Sequence, residues 1–226
     1  TSTFQYAGIG ATNITGTTYY NLSFVPNGTV TYTVATTPTI NNTLLMDAQS
    51  GTLTVTNTSA ATYILRGDWT IASDVVYNKS SGTTTFAKGG GAGVWQTFTD
   101  NTASKQDLGI CQISANTTNT TLKLGSSATM EILTINASQT LDLNGANTLS
   151  LTGNGIGAGR PLRIGGTFIP STGTIQHIGV SAGVGIEPAT YYNLTIAPTA
   201  TAMYQAGTAS SQIVRVDGTL LMDPSG

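Results

Sequence analysis

Apolar positions in this chain alternate with polar ones, and no stretch carries the i, i+3, i+4, i+7 spacing of a helix over three turns. Tyr20, Leu22 and Phe24 alternate with Asn21 and Ser23, and Leu53 and Val55 alternate with Thr52, Thr54 and Thr56. Residues 120–153 are the most regular. Their apolar pairs are Leu122/Leu124, Leu133/Ile135, Leu141/Leu143 and Leu149/Leu151, and the last three pairs fall eight residues apart. Polar corners separate them, Asn136-Ala137-Ser138-Gln139 and Asn144-Gly145-Ala146-Asn147. Strands of about four residues joined by corners of about four predict a chain that winds continuously in one direction. Three sides make about 24 residues per coil. At ~4.8 Å between stacked strands the chain would form about nine coils and a rod about 45 Å long. The expected fold is therefore all-β, a right-handed parallel β-solenoid. A tandem of antiparallel β-sandwiches is the alternative.

A phrase occurs twice. Residues 18–47 read TYYNLSFVPNGTVTYTVATTPTINNTLLMD, and residues 190–223 read TYYNLTIAPTATAMYQAGTASSQIVRVDGTLLMD. The match extends backwards, with Thr3-Phe4-Gln5-Tyr6-Ala7-Gly8 aligned to Thr174-Ile175-Gln176-His177-Ile178-Gly179. This implies a repeat unit of about 172 residues. Residues 1–173 form one full unit, and residues 174–226 begin a second that is continuous with it. Such a unit is long for one immunoglobulin-like sandwich of ~100 residues, which favours the solenoid. Residues 62–100 are less regular, hold both tryptophans (Trp69 and Trp95), and predict wider coils or a hairpin with a protruding turn at residues 88–93.

The strings LDLNGANTLSLTG, GTFIPSTGTIQHIG, SKQDLG and TYYNLTI resemble the repeat units of very long secreted prokaryotic surface proteins, in the style of filamentous-haemagglutinin-type adhesins. The resemblance implies a parallel β-helix in an extracellular, elongated, structural or adhesive protein. It transfers no catalytic residues.

Composition fits a stacked coil. Charged residues make up 8% of the chain and threonine about a fifth. Like charges stacked in a ladder repel, whereas stacked hydroxyls and amides bond to one another. A net charge of −2 gives no basic footprint for nucleic acid. No apolar run reaches the 18 residues of a membrane span. The single cysteine, Cys111, reads as a small core residue and allows no internal disulfide. The sequence starts at Thr1 in mid-pattern, as expected of a chain that has lost a leader or belongs to something longer.

Candidate chemistry is sparse, and no enzyme is expected. The acids Asp47, Asp68, Asp74, Asp100, Asp107, Glu131, Asp142, Glu187, Asp217 and Asp223 never fall two to a four-residue window, so acid/base pairing would have to arise across coils. His177 is the only histidine, and its repeat partner is Tyr6, a strand-face residue. Gly153-Asn154-Gly155-Ile156-Gly157-Ala158 matches a dinucleotide fingerprint in letters, but Arg160-Pro161 follows where a helix should start. No cofactor or metal is implied. Arg66-Gly67-Asp68 lies inside strand-like sequence. The Thr-X-Thr runs at 29–33 and 52–56 would need register across several coils to act as an ice-binding face.

Ten of the fifteen asparagines stand in Asn-X-Ser/Thr, where chance gives about four. Asn13, Asn21, Asn27, Asn41, Asn57, Asn78, Asn116, Asn119, Asn136 and Asn193 are therefore the candidate glycosylation sites of an exported protein. Trp69, Trp95 and the Gly89 turn are the candidate surface contacts for glycan or protein. The expected function is an extracellular structural protein, a repeat-built surface fibre or filament subunit. Its expected partner is itself, either separate copies or further repeats of the same chain, joined head to tail through residues 1–25 and 190–226. The alternatives are an adhesin that binds glycan or protein on its side, and a polysaccharide-active enzyme.

Overall fold

The structure is a computed structural model that describes residues 2–58, 60–91, 93–154, 159–180, 182–206 and 212–223. Twenty-six short strands wind into a parallel β-solenoid of about nine turns, with no helix among the described residues. Every strand pairing among the described residues is parallel, which replaces the tandem-sandwich alternative.

The chain visits three sides in turn. A 13-stranded sheet covers two adjacent sides. The long strand Thr39–Met46 spans both, since its first residues pair with Ile64–Leu65 and its last with Asp68–Ile71. The third side is a 4-stranded sheet ending at Val75–Asn78, followed by a 5-stranded sheet running from Ala128–Met130 to Leu220–Met222. Between these two, the Gln106 side chain accepts a hydrogen bond from the Tyr77 amide (2.8 Å), and Asp107 bridges to Thr129. Coil length varies from 18 residues (Thr3 to Asn21) to 29 (Trp69 to Phe98), around the 24 expected.

The alternation places the core. Leu122, Leu124, Leu133, Ile135, Leu141, Leu143, Leu149 and Leu151 are all fully buried, and their polar partners line the outside. One inward stack runs Leu22, Leu44, Trp69, Phe98, Leu124 through successive paired strands. The described residues of 62–100 hold no hairpin. Their strands are parallel rungs, and the irregularity comes from an aromatic cluster of Tyr63, Trp69, Tyr77, Phe86 and Phe98, with ring centroids 5.1–6.5 Å apart. Such large side chains widen the coil locally. The Gly89 turn lies over the next coil, and its Gly89 and Gly90 amides donate to the hydroxyls of Thr120 and Thr118. On the 4-stranded sheet Thr31 pairs with Thr54 and Thr33 with Thr56, but the array stops after two rungs, at Val76 and Asn78.

The two copies of the phrase make matching strand pairings and hydrogen bonds. In the first copy Thr3, Phe4, Gln5 and Tyr6 pair with Asn21, Leu22, Ser23 and Phe24. In the second, Thr174, Ile175, Gln176 and His177 pair with Asn193, Leu194, Thr195 and Ile196. Tyr19 donates to the Thr15 carbonyl (3.0 Å) and Tyr191 to the Glu187 carbonyl (2.6 Å). Tyr32 donates to the Gly8 carbonyl as Tyr204 does to that of Gly179. Equivalent strands of the two copies lie on different sides: Thr3–Tyr6, Thr18–Phe24 and Thr39–Met46 are in the 13-stranded sheet, and Thr174–His177, Asn193–Ile196 and Leu220–Met222 are in the 5-stranded one. From Thr3–Tyr6 the chain climbs seven rungs, to Thr167–Ile169, and then moves one side on to Thr174–His177. The unit therefore spans seven coils plus one third.

Candidate functional site: the two ends of the solenoid

Exposed large apolar side chains concentrate at the first and last described coils. At one end are Phe4, Ile9 and Tyr20; at the other are Met203, Ile213, Leu220, Leu221 and Met222. The alternation that points a side chain inward works at every rung, but a side chain is buried only when a further rung lies on it. The end of the strand Thr39–Met46 shows this, because residues 44–46 pair in the same register as their repeat equivalent. Leu22 and Phe24 pair with Leu44 and Met46, and Leu194 and Ile196 pair with Leu220 and Met222. Leu44 and Met46 carry Trp69 and Ile71 of the next strand and are 0% exposed. Met222 is 66% exposed.

Each end also has a hollow. At the first coil a hollow of about 490 Å³ is lined by Phe4, Tyr6, Tyr19, Tyr20 and Asn21. At the last coil one of about 320 Å³ is lined by Ile186, Ile196, Tyr204, Met222 and Asp223 among others. In the second copy the ring of Tyr191, the equivalent of Tyr19, is met by Phe168 of the preceding coil at 5.8 Å. The first hollow is thus the seat that a preceding coil would fill.

His177 lies beside the last coils, fully buried, its ring 6.0 Å from Tyr204 in an edge-on contact. Neither ring nitrogen has a hydrogen-bond partner. Burial without a partner disfavours the charged form and lowers its pKa to about 4.

The tryptophans separate. Trp69 is 0% exposed in the aromatic cluster, so it is a core residue and not the surface contact expected of it. The phase of the strand Asp68–Ile71 explains this, since Trp69 and Ile71 alternate inward with Asp68 and Thr70 facing out. Trp95 is 47% exposed, and the Lys123 ammonium lies 4.0 Å from its ring centroid. The opposite phase is again legible, because Gln96, Phe98 and Asp100 are the inward residues that follow it.

Of the sequon asparagines, Asn13, Asn27, Asn78, Asn116 and Asn119 are exposed. Asn21, Asn41, Asn136 and Asn193 are half-buried, and three of these serve in ladders. Asn21 donates to Thr3 and accepts from Asn42, Asn193 accepts from the Thr219 amide, and Asn41 accepts from Arg66. Asn57 faces inward and donates to the Asn78 carbonyl, so it presents no amide to an external enzyme.

The acids that come together across coils are Asp107 and Glu131, which share the ammonium of Lys79 at 2.7 and 2.8 Å. Burial lowers the Lys79 pKa, but its bonds to the two carboxylates outweigh that and raise it overall. Asp100 is buried and saturated by bonds from Thr102 and the Gln106 amide. No group of three metal-ligating side chains forms among the described residues. Cys111 is buried, and burial raises its thiol pKa. In Arg66-Gly67-Asp68, Gly67 is pressed against the backbone of Asn42, so the tripeptide forms a packed corner and no free loop tip. Of the fingerprint-like run, residues 155–158 lie outside the described residues.

No family model, no curated protein and no solved structure matches this chain.

Proposed function

We propose that this chain is a structural element of an extracellular surface fibre, and that its copies associate head to tail through the first and last coils. One observation carries the reading: strands that are sealed inside the solenoid have exposed repeat equivalents at its end, Leu44 against Leu220 and Met46 against Met222. An uncovered rung offers both unpaired backbone groups and apolar side chains, and a parallel strand of another copy satisfies both. The charge-poor, threonine-rich exterior and the exposed sequons at Asn13, Asn27, Asn78, Asn116 and Asn119 support an exported setting. Light scattering and negative-stain imaging of the purified chain over rising concentration test this. Filaments or ladders of oligomers are expected, and a monodisperse monomer at high concentration would overturn it.

A second reading, an adhesin that contacts glycan or protein on its side, is favoured by the exposed Trp95 ring beside Lys123 and Val94. Loss of glycan-array binding on Trp95→Ala would support it. An array with no binding to the parent chain would remove it.

A further inference from the structure

The internal repeat also specifies how two copies meet. Building on the head-to-tail reading, we propose that the strand Leu220–Met222 of one copy seats beneath Thr3–Tyr6 of the next, with Leu220 under Phe4 and Met222 under Tyr6. Successive copies are then turned by one side of the three-sided solenoid.

Two rungs inside the chain are templates for this contact, one for each partner. The equivalent of Thr3–Tyr6 is Thr174–His177, which rests on Thr148–Leu151 with Thr148, Leu149, Ser150 and Leu151 paired to Thr174, Ile175, Gln176 and His177. Residues 219–222 read Thr-Leu-Leu-Met, against Thr-Leu-Ser-Leu in 148–151. Placing Thr219 to Met222 beneath Thr3 to Tyr6 therefore repeats a contact the protein already makes, with the same inward alternation of apolar side chains. The second template is the strand Asp68–Ile71 on the end of Thr39–Met46, with Leu44 paired to Trp69 and Met46 to Ile71. There an aromatic ring, Trp69, covers the leucine, as Phe4 would cover Leu220. The two templates are independent and give the same register.

The turn follows from which side each strand occupies. Leu220–Met222 belongs to the 5-stranded sheet of the third side, and Thr3–Tyr6 to the 13-stranded sheet. Stacking one on the other advances the second copy by one side, which is the step the chain takes between its own two copies. An unturned stack would put Leu220 and Met222 beneath Thr12–Ile14, where threonine replaces an aromatic ring, and Arg215–Val216 beneath Thr3–Tyr6. The turned stack also places Tyr6 over the hollow lined by Ile196, Tyr204 and Met222.

Cysteine pairs in the full chain read the register directly. Gln5 and Leu221 face outward at matching positions, as Gln176 and Ser150 do, and parallel neighbours ~4.8 Å apart lie within disulfide reach. The variant Gln5→Cys with Leu221→Cys is expected to form a ladder of disulfide-linked oligomers under mild oxidation. The variant Gln5→Cys with Asp217→Cys, which reports the unturned stack, is expected to cross-link at least about tenfold less. Both substituted sites in each variant are on the surface, and circular dichroism confirms folding. Cross-linking through Asp217→Cys alone would overturn the register and leave head-to-tail association standing. Oligomers in light scattering with neither pair cross-linked would likewise overturn the register. A monomer in light scattering would overturn both. Filament imaging gives a second readout, an expected rotation of about one third of a turn for each ~50 Å of rise.

Discussion

Leu44 and Leu220 hold the same place in two copies of one phrase, yet Leu44 is 0% exposed and Leu220 is 51% exposed. Each pairs with a leucine of the preceding strand, Leu22 and Leu194. The difference is Trp69, which pairs above Leu44. Truncating each therefore separates folding from association. Leu44→Ala removes buried contacts and leaves a cavity, with an expected loss of about 2–5 kcal/mol. Leu220→Ala is expected to cost the monomer less than about 1 kcal/mol, since the side chain is half in water already. Urea unfolding measures both, and light scattering of Leu220→Ala and Met222→Asp is expected to show weakened oligomers of folded protein.

The corner at Gly67 is the tightest that the inward alternation leaves. A Cβ there would sit 1.4 Å from the Asn42 carbonyl oxygen, a backbone atom held between paired strands. Gly67→Ala is thus expected to shift two coils apart and to cost at least about 3 kcal/mol, at the upper end of overpacking effects. Thermal unfolding checks this. An unchanged melting temperature would mean that the two corners are not in contact.

The two tryptophans make opposite predictions. Trp69→Ala empties the centre of a five-ring cluster and is expected to cost about 3–5 kcal/mol. Trp95→Ala loses a partly solvated cation–π contact with Lys123 and is expected to cost about 1 kcal/mol or less. Intrinsic fluorescence gives an independent check. Iodide is expected to quench the emission of the Trp69→Ala variant, whose one remaining tryptophan is exposed, far more than that of Trp95→Ala.

How much of this was legible in the sequence depends on what each feature needs. The eight-residue spacing of Leu133, Leu141 and Leu149 is enough to place three sides, because a strand and a corner are both local. Corners at Ser138 and Asn144 are legible for the same reason. Both adopt positive φ, 65° and 54°, and asparagine is among the residues that accept it. The burial of Trp69 is also encoded, in the two-residue phase it shares with Ile71, a signal that the irregular composition of residues 62–100 masks. The inward direction of Asn57 follows from its phase with Leu53 and Val55. The one-third turn between repeat copies was not legible. It depends on the sum of seven coil lengths that range from 18 to 29 residues, and each of these is set by packing inside the coil.

The exchange of Tyr6 for His177 makes the last coils acid-sensitive. His177 is buried, unpartnered and next to Tyr204, the one titratable group in ring contact with it among the described residues. The strands paired to its own place Leu151 on one side and Ile196 on the other, and neither carries charge. Its pKa falls to about 4 from 6.5, so the unfolded chain binds the proton more readily than the folded one between these values. Stability contributed by the neutral form is complete above about pH 6.5 and is lost progressively as pH falls towards 4, by about 3 kcal/mol in all. In acid the last coils are expected to open first, and oligomers that depend on Leu220–Met222 are expected to dissociate with them. His177→Leu keeps the volume and removes the proton site. It is expected to flatten the profile of stability against pH between 6.5 and 4, measured by urea unfolding at each pH. An unchanged slope in that variant would show that the acid sensitivity comes from the carboxylates instead.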